Sequence, residues 1–329
     1  MRQQLAALPL PASLTINPDL TLTQPGLAPI LGATVHLPPA PMNDPTVAAK
    51  FDALVFANLP DAKLARAWQK DYLADVGEPG HLPAPGVAQK AHVAGGGRLL
   101  VSAKPAKTFS AAEDAAFATM LRTWQSTLGA GALDWVLWQE MNTHHAVETK
   151  TPGDVPFTPS SYSAYFDHYS AVFEQVAAPG MRLGLDFALG GPKDDCAPST
   201  LGTFTAALTS ASLARVKFLD VDYYASAMVA GTGLGTPTAL ADQLGVPFGV
   251  AEAGMAASVR AVSPAQWVAY GQTLVDTMRE RIVAGKDCHV LGWWCSQLAG
   301  QPVNRDQVTS SSDPKIPVMQ WAYHALGGQ

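Results

Sequence analysis

The chain has 329 residues, 48% hydrophobic and 15% charged, so it can bury a large core and has a surface poor in charge. A formal net charge of −6 and a pI near 5.7 argue against binding nucleic acid or an anionic membrane through bulk electrostatics. No apolar run approaches the ~20 residues of a membrane span.

Residues 1–28 are rich in Pro and Thr and read as an N-terminal strap or extension ahead of one main domain, 29–329. Prolines interrupt the only short apolar stretch after Met1, which makes a poor signal peptide. The chain as written is expected in the cytoplasm, or outside the cell if a leader has been removed. From Ala28 onward, strand-like runs alternate with helix-like ones, the pattern of a parallel α/β sheet.

Ile30–His36 reads as the first strand. The second should lie between residues 45 and 97. Phe51–Ala57 fits a strand there, but Val47, Phe51, Leu54 and Val55 equally fit one helix face. Gly77–Val93, rich in Pro and Gly, reads as a long loop. Further strands are expected at Arg98–Lys104, Leu133–Glu140, Arg182–Leu189, Phe218–Ala225, Pro247–Ala253 and Val290–Cys295. The apolar spacing predicts helices over Ser110–Leu128, with Ser110 and Glu113 placed as a capping box, and over Ser161–Val176, Pro264–Ala284 and Lys315–Leu326. Seven strands and one more candidate fit a closed (β/α)8 TIM barrel in a single domain. A doubly wound sheet would bring a G-x-G-x-x-G turn, and none follows a strand here.

Two glutamates stand out. Glu140 closes Leu133-Asp-Trp-Val-Leu-Trp138 in the run Trp-Gln-Glu-Met-Asn, and Glu252 closes Pro247-Phe-Gly-Val-Ala251 in Val-Ala-Glu-Ala-Gly. A carboxylate at the tip of an apolar strand suits the mouth of a barrel, where strand ends collect catalytic groups. Two of them supply what glycosidic bond cleavage needs, a proton donor and a nucleophile or base. The plainer reading, that each caps a helix or pairs with a surface Lys, remains beside it.

These motifs resemble the glycoside hydrolases of clan A, retaining enzymes on a (β/α)8 barrel. Trp138-Gln-Glu-Met-Asn142 stands where that clan has Trp-Asn-Glu-Pro, with the acid/base Glu ending strand four. Val250-Ala-Glu-Ala-Gly254 is similar to its strand-seven nucleophile pattern, and Asp220-Val-Asp-Tyr-Tyr-Ala-Ser226 to strand six, whose Tyr bonds the nucleophile. Gly292-Trp-Trp-Cys295 resembles strand eight, whose Trp floors the sugar subsite. Leu189-Gly-Gly-Pro192 resembles the β-xylosidase and α-iduronidase family within the clan. The resemblance implies Glu140 as acid/base and Glu252 as nucleophile, a carbohydrate substrate, and no cofactor or metal. Gln139 replaces the usual Asn, Met141 the usual Pro, and no convincing Arg ends the second strand.

Gln139, Asn142, Asp222, Tyr224, Trp293, Trp294, His36 and Lys104 are the candidates for substrate binding. Asp222 and Tyr224 alternate and so share a face, which aims Tyr224 at Glu252 and Tyr223 at the helix layer; a bulge would swap them. Trp293 and Trp294 point to opposite sides, one of them into the barrel. Trp138 and Met141 are expected near Glu140. His144 and His145 with Asp194 or Asp195 offer a weak metal alternative. Among three cysteines, Cys196 and Cys295 can pair, although free thiols fit as well. The rival functions are a non-catalytic sugar-binding or interaction barrel, and metal-dependent hydrolysis.

Overall fold

The computed structural model describes residues 30–35, 68–72, 84–85, 90, 93–94, 96–144, 154–254, 262–294 and 316–327. Eight parallel strands close into a barrel in chain order: β1 Ile30–Val35, β2 Trp68–Tyr72, β3 Arg98–Ala103, β4 Leu133–Leu137, β5 Arg182–Leu189, β6 Val216–Tyr224, β7 Phe248–Gly254 and β8 Cys288–Trp294. Strand β1 pairs with both β2 and β8, which removes any free edge. The fold is therefore the expected (β/α)8 barrel. The second strand is a correction: it is Trp68–Tyr72, not Phe51–Ala57, which lies outside the described residues. Trp-Gln-Lys-Asp-Tyr carries no apolar run, and its strand character comes from pairing with β1 and β3 on either side.

Among the described residues the helices are α1 Ala111–Leu128, α2 Pro159–Val176, α3 Pro198–Ala207, α4 Ser210–Arg215, α5 Ala225–Val229, α6 Gly235–Leu244, α7 Pro264–Val283 and α8 Ile316–Gly327. The Ser110 hydroxyl caps α1 by accepting from the Glu113 N–H. Helix α2 starts earlier than the apolar spacing implies, because Thr158 and Ser161 form a capping box around Pro159. Ser263 and Gln266 do the same for α7. None of the described helices is long and apolar enough to cross a membrane.

Two apolar layers hold the barrel. The outer one lies between strands and helices and is dense in aromatics, including Tyr162, Tyr165, Phe166 and Tyr169 of α2. The phenols of Tyr162, Tyr165 and Tyr169 donate to the carbonyls of Leu137, Pro105 and Ala106, tying α2 to the ends of β4 and β3. The inner layer is small: Leu100, Val136, Phe218, Ala251 and Val290.

Below that inner layer the barrel floor is ionic. Asp134 accepts from Arg182 at 2.6 and 2.7 Å and from Arg98 at 2.8 Å, and lies 3.2 Å from His289 Nε2. His289 Nδ1 faces the Asp220 carboxylate at 2.9 Å, and the imidazole stacks on Phe218 at 4.0 Å. Burial opposes ionisation of Asp134, but His289 and Arg182 outweigh it and hold the carboxyl well below the usual range. Burial likewise opposes a charged His289, and Asp220 and Asp134 raise its pKa nonetheless. Gly249 makes room for this network: a Cβ there would stand 2.2 Å from Asp220 Oδ1 and 2.8 Å from the Val290 nitrogen.

Candidate active site

Strand β4 ends at Leu137, and the chain then turns through Trp138 (φ 64°) and Glu140 (φ 53°). Left-handed backbone at two non-glycine residues costs of order 1–3 kcal/mol each and persists only where the surroundings enforce it. The enforcement is visible. Trp138 N–H donates to Ala103 O at 2.9 Å and Glu140 N–H to Asp186 O at 3.0 Å; the Glu140 carbonyl accepts from both the N–H and the hydroxyl of Thr143. The turn lifts Glu140 to the mouth, half-buried, and sends Trp138 outward. There Trp138 packs on Phe157 at 5.1 Å and Tyr165 at 6.0 Å, with Lys107 over its ring at 4.6 Å. Trp138 and Met141 therefore join the outer core rather than lining the site.

Glu252 reaches the interior through an irregularity. The β6–β7 register runs Val221↔Val250 and then Asp222↔Glu252, so β7 carries one extra residue. Against β8 the pairing jumps from Val250↔Leu291 to Ala253↔Trp293, again with the extra residue on β7. Strict alternation would put Ala251 and Glu252 on opposite faces. The extra residue lets Ala251 fill the inner layer while Glu252 also faces inward, 2% exposed.

At the mouth the Tyr224 phenol donates to Glu252 Oε2. Tyr223 points the other way, its hydroxyl on Thr232 O at 2.7 Å. Asp222 is buried, and Glu140, Asp222 and Glu252 each present a carboxylate oxygen within 4.8 Å of the others. Among the described residues this is the one carboxylate or imidazole cluster spaced to hold a cation, and it does not include His144. His144 instead binds Asp195 through its backbone N–H, at 2.6 Å, and through Nδ1. Burial would raise the Asp195 pKa, but these two bonds hold it below the usual carboxylate range. His145 lies outside the described residues.

Beside Glu140 opens a pocket of about 380 Å³, walled by the loops after β4 and β5, with Thr143 and His144, then Gly190 and Asp194 to Cys196, and by Ser226 and Ala227 of α5. Asp222 and Tyr224 also line it. The sequence reading missed Thr143, Ser226 and Ala227. Small and hydroxylated residues leave no signal of their own, and only the strand ends locate them. Cys196 is a free thiol, and Cys295 lies outside the described residues. Burial first, then Asp195, Glu140 and Asp194, push the Cys196 thiol up to about 12, which keeps it protonated and a poor nucleophile.

The substrate candidates divide. Asp222 and Tyr224 are at the site. Asn142 is not free to bind sugar: its Nδ2 donates to Ala188 O at 2.9 Å and Thr200 Oγ1 at 3.0 Å, and its Oδ1 accepts from the Ala188 N–H at 2.9 Å. Gln139 is nearly buried and its carbonyl takes the Ser102 hydroxyl on β3. Lys104 stands over the outward face of Trp138, 5.4 Å from the ring centroid. Trp293 is 1% exposed and packs on Trp267 and Tyr270 of α7, so it belongs to the outer core and cannot floor a sugar subsite. Trp294 ends β8 opposite Thr34 of β1. His36 lies outside the described residues.

No protein-family model and no curated protein matches this sequence. Solved structures do match its fold. The endo-β-1,4-mannanase of Thermotoga petrophila is 8% identical, with 92% of this chain and 77% of that one covered at a TM-score of 0.55. A modular endo-β-1,4-mannanase from Cellulomonas fimi is 14% identical, covering 91% and 71% at 0.53. A psychrophilic family 10 endo-β-1,4-xylanase is 10% identical, covering 87% and 96% at 0.53. At such identities the likeness is one of fold: the chain has the TIM-barrel architecture found in these glycosidases.

Proposed function

We propose that this protein is a glycoside hydrolase that cleaves a glycosidic bond with retention, through two displacements. The observation that carries the reading is the closeness of Glu140 and Glu252, which have carboxylate oxygens within 4.8 Å of one another. Retaining pairs stand ~5–5.5 Å apart and inverting pairs ~6.5–9.5 Å, and the closeness here supports retention.

Glu252 is the nucleophile. The Tyr224 hydroxyl donates to its carboxylate, favouring the ionised form and fixing its aim. Glu140 gives its proton to the leaving oxygen as the bond from the anomeric carbon breaks and Glu252 forms an ester there. Water then attacks the same carbon, Glu140 takes a proton from it, and Glu252 is released. The pocket is lined by Glu140, Asp222 and Tyr224, so a sugar held there would stand beside the proposed acid/base. Asp222 is the residue proposed to contact the sugar being transferred. A finer likeness to the β-xylosidase and α-iduronidase family rests on Leu189–Pro192, of which Leu189 and Gly190 line the pocket.

The engagement of Gln139 with Ser102 favours a second reading, a sugar-binding barrel without catalysis. A panel of aryl glycosides separates the two, and β-mannosides and β-xylosides head it because the structural neighbours are mannanases and a xylanase. Turnover of at least one is expected. Glu140→Gln should then lose roughly 10²–10⁴-fold on poor leaving groups while sparing activated ones in the first step. Binding without turnover across the panel would favour the second reading.

A further inference from the structure

We infer that Asn142 is a positioning residue for Glu140, holding the strained turn that carries the proposed acid/base. The inference rests on that reading of Glu140. Two residues after Glu140, the Asn142 amide uses both its ends on one residue of β5: Oδ1 accepts from the Ala188 N–H and Nδ2 donates to the Ala188 carbonyl. A third bond reaches Thr200 Oγ1 on α3, and Asn142 is 5% exposed. Thr143 bonds only within the turn, and His144 is tethered at an exposed surface. Asn142 is therefore one of two buried polar side chains that fasten the turn to the barrel, and it holds the end after Glu140, while Gln139 on Ser102 of β3 holds the end before it. The Asn142 partner Ala188 also lines the pocket.

Without this grip, Trp138 and Glu140 gain by leaving the left-handed region, because a residue with a Cβ is strained there. Such a relaxation rotates the Glu140 carboxyl away from the leaving oxygen. Proton transfer in the transition state depends on placement to within about an ångström. The loss should fall on steps that need the proton and spare those that do not.

The test compares Asn142→Ala, Asn142→Asp and Thr200→Val with the parent on aryl glycosides graded in leaving-group acidity, with Glu140→Gln as reference. Asn142→Ala should lose on the order of 10²-fold in kcat/KM on phenols of high pKa and little on dinitrophenol. Asn142→Asp keeps the acceptor for the Ala188 amide but sets a carboxylate oxygen against the Ala188 carbonyl, and should show the same slope. Thr200→Val should show a few-fold effect. Equal loss across the series, or none in both Asn142 variants, overturns the inference, since a merely structural role lowers every substrate alike. If Glu140→Gln itself shows no dependence on the leaving group, the assignment of Glu140 fails first and the inference falls with it.

Discussion

The two ends of the barrel use carboxylates in opposite ways. At the floor, Asp134 and Asp220 are interleaved with Arg98, Arg182 and His289, so each carboxylate meets a cation within about 3 Å. At the mouth, Glu140, Asp222 and Glu252 are gathered within 4.8 Å of one another, and a neutral phenol donates to Glu252. Strand β6 serves both ends, with Asp220 to the floor and Asp222 to the mouth. Charges arranged to compensate one another stabilise a fold. Carboxylates gathered around one point are placed to share a ligand or a reacting centre. Sites that do chemistry are where this second arrangement is expected.

Five substitutions sharpen this contrast. Glu252→Gln should lower activity by on the order of 10⁴–10⁶-fold, as loss of a nucleophile does, while the melting temperature holds or rises. A melting temperature that falls as far as activity does would make the mouth structural. Asp134→Ala should do the reverse. Removing one partner from a buried ionic network costs about 3–5 kcal/mol, because Arg182 loses its buried carboxylate and His289 keeps only Asp220. Denaturant unfolding reads that loss, and the leaving-group dependence of the remaining activity should be unchanged. Gly249→Ala forces a Cβ against Asp220 and the Val290 backbone, and should cost roughly 1–3 kcal/mol of stability. Tyr223→Phe removes one buried bond, to Thr232, for about 1 kcal/mol with no effect on kcat, whereas Tyr224→Phe impairs catalysis.

The floor also sets a pH window. Folding raises the His289 value, so its contribution is complete below the ordinary histidine value of 6.5 and is lost as pH rises through the raised folded value. Asp134 is depressed, so it contributes above its ordinary 3.8 and loses that only as pH falls far below it. The groups facing His289 are Asp220, Asp134 and Arg182, the last with a nitrogen 3.0 Å from Nε2. Unfolding free energy should therefore be highest between about pH 4 and 6.5. His289→Gln should flatten the decline on the alkaline side.

The mouth was largely legible in the sequence and the floor was not. Glu140, Asp222, Tyr224 and Glu252 stand at the ends of apolar runs, where a charge has no place in a core, and strand alternation separated Tyr224 from Tyr223. Strand β5 was read to the residue, since Arg182–Leu189 is apolar between turn signals. The floor residues look isolated along the chain, each one polar side chain within or beside an apolar run, and only barrel closure brings Asp134, 155 positions away, to His289. Asp134 and Asp220 within apolar runs were the available signal. The extra residue on β7 has no sequence mark, yet it aims Glu252. Asn142 was read as a sugar ligand because its type fits, and its engagement with Ala188 depends on a neighbouring strand that spacing along one chain cannot reveal. Strand β2 and helices α3 to α6 escaped because short or polar segments take their form from what they pack against.

The central claim, that the mouth runs a double displacement on Glu252, is tested most directly by trapping its intermediate. The enzyme would be inactivated with a 2-deoxy-2-fluoro glycoside of the sugar the aryl panel identifies, then digested and mapped by mass spectrometry. The account predicts one label per chain, on the peptide containing Glu252 and on that residue. A label on Glu140, Asp222 or another carboxylate, or turnover with no covalent species formed, would contradict it.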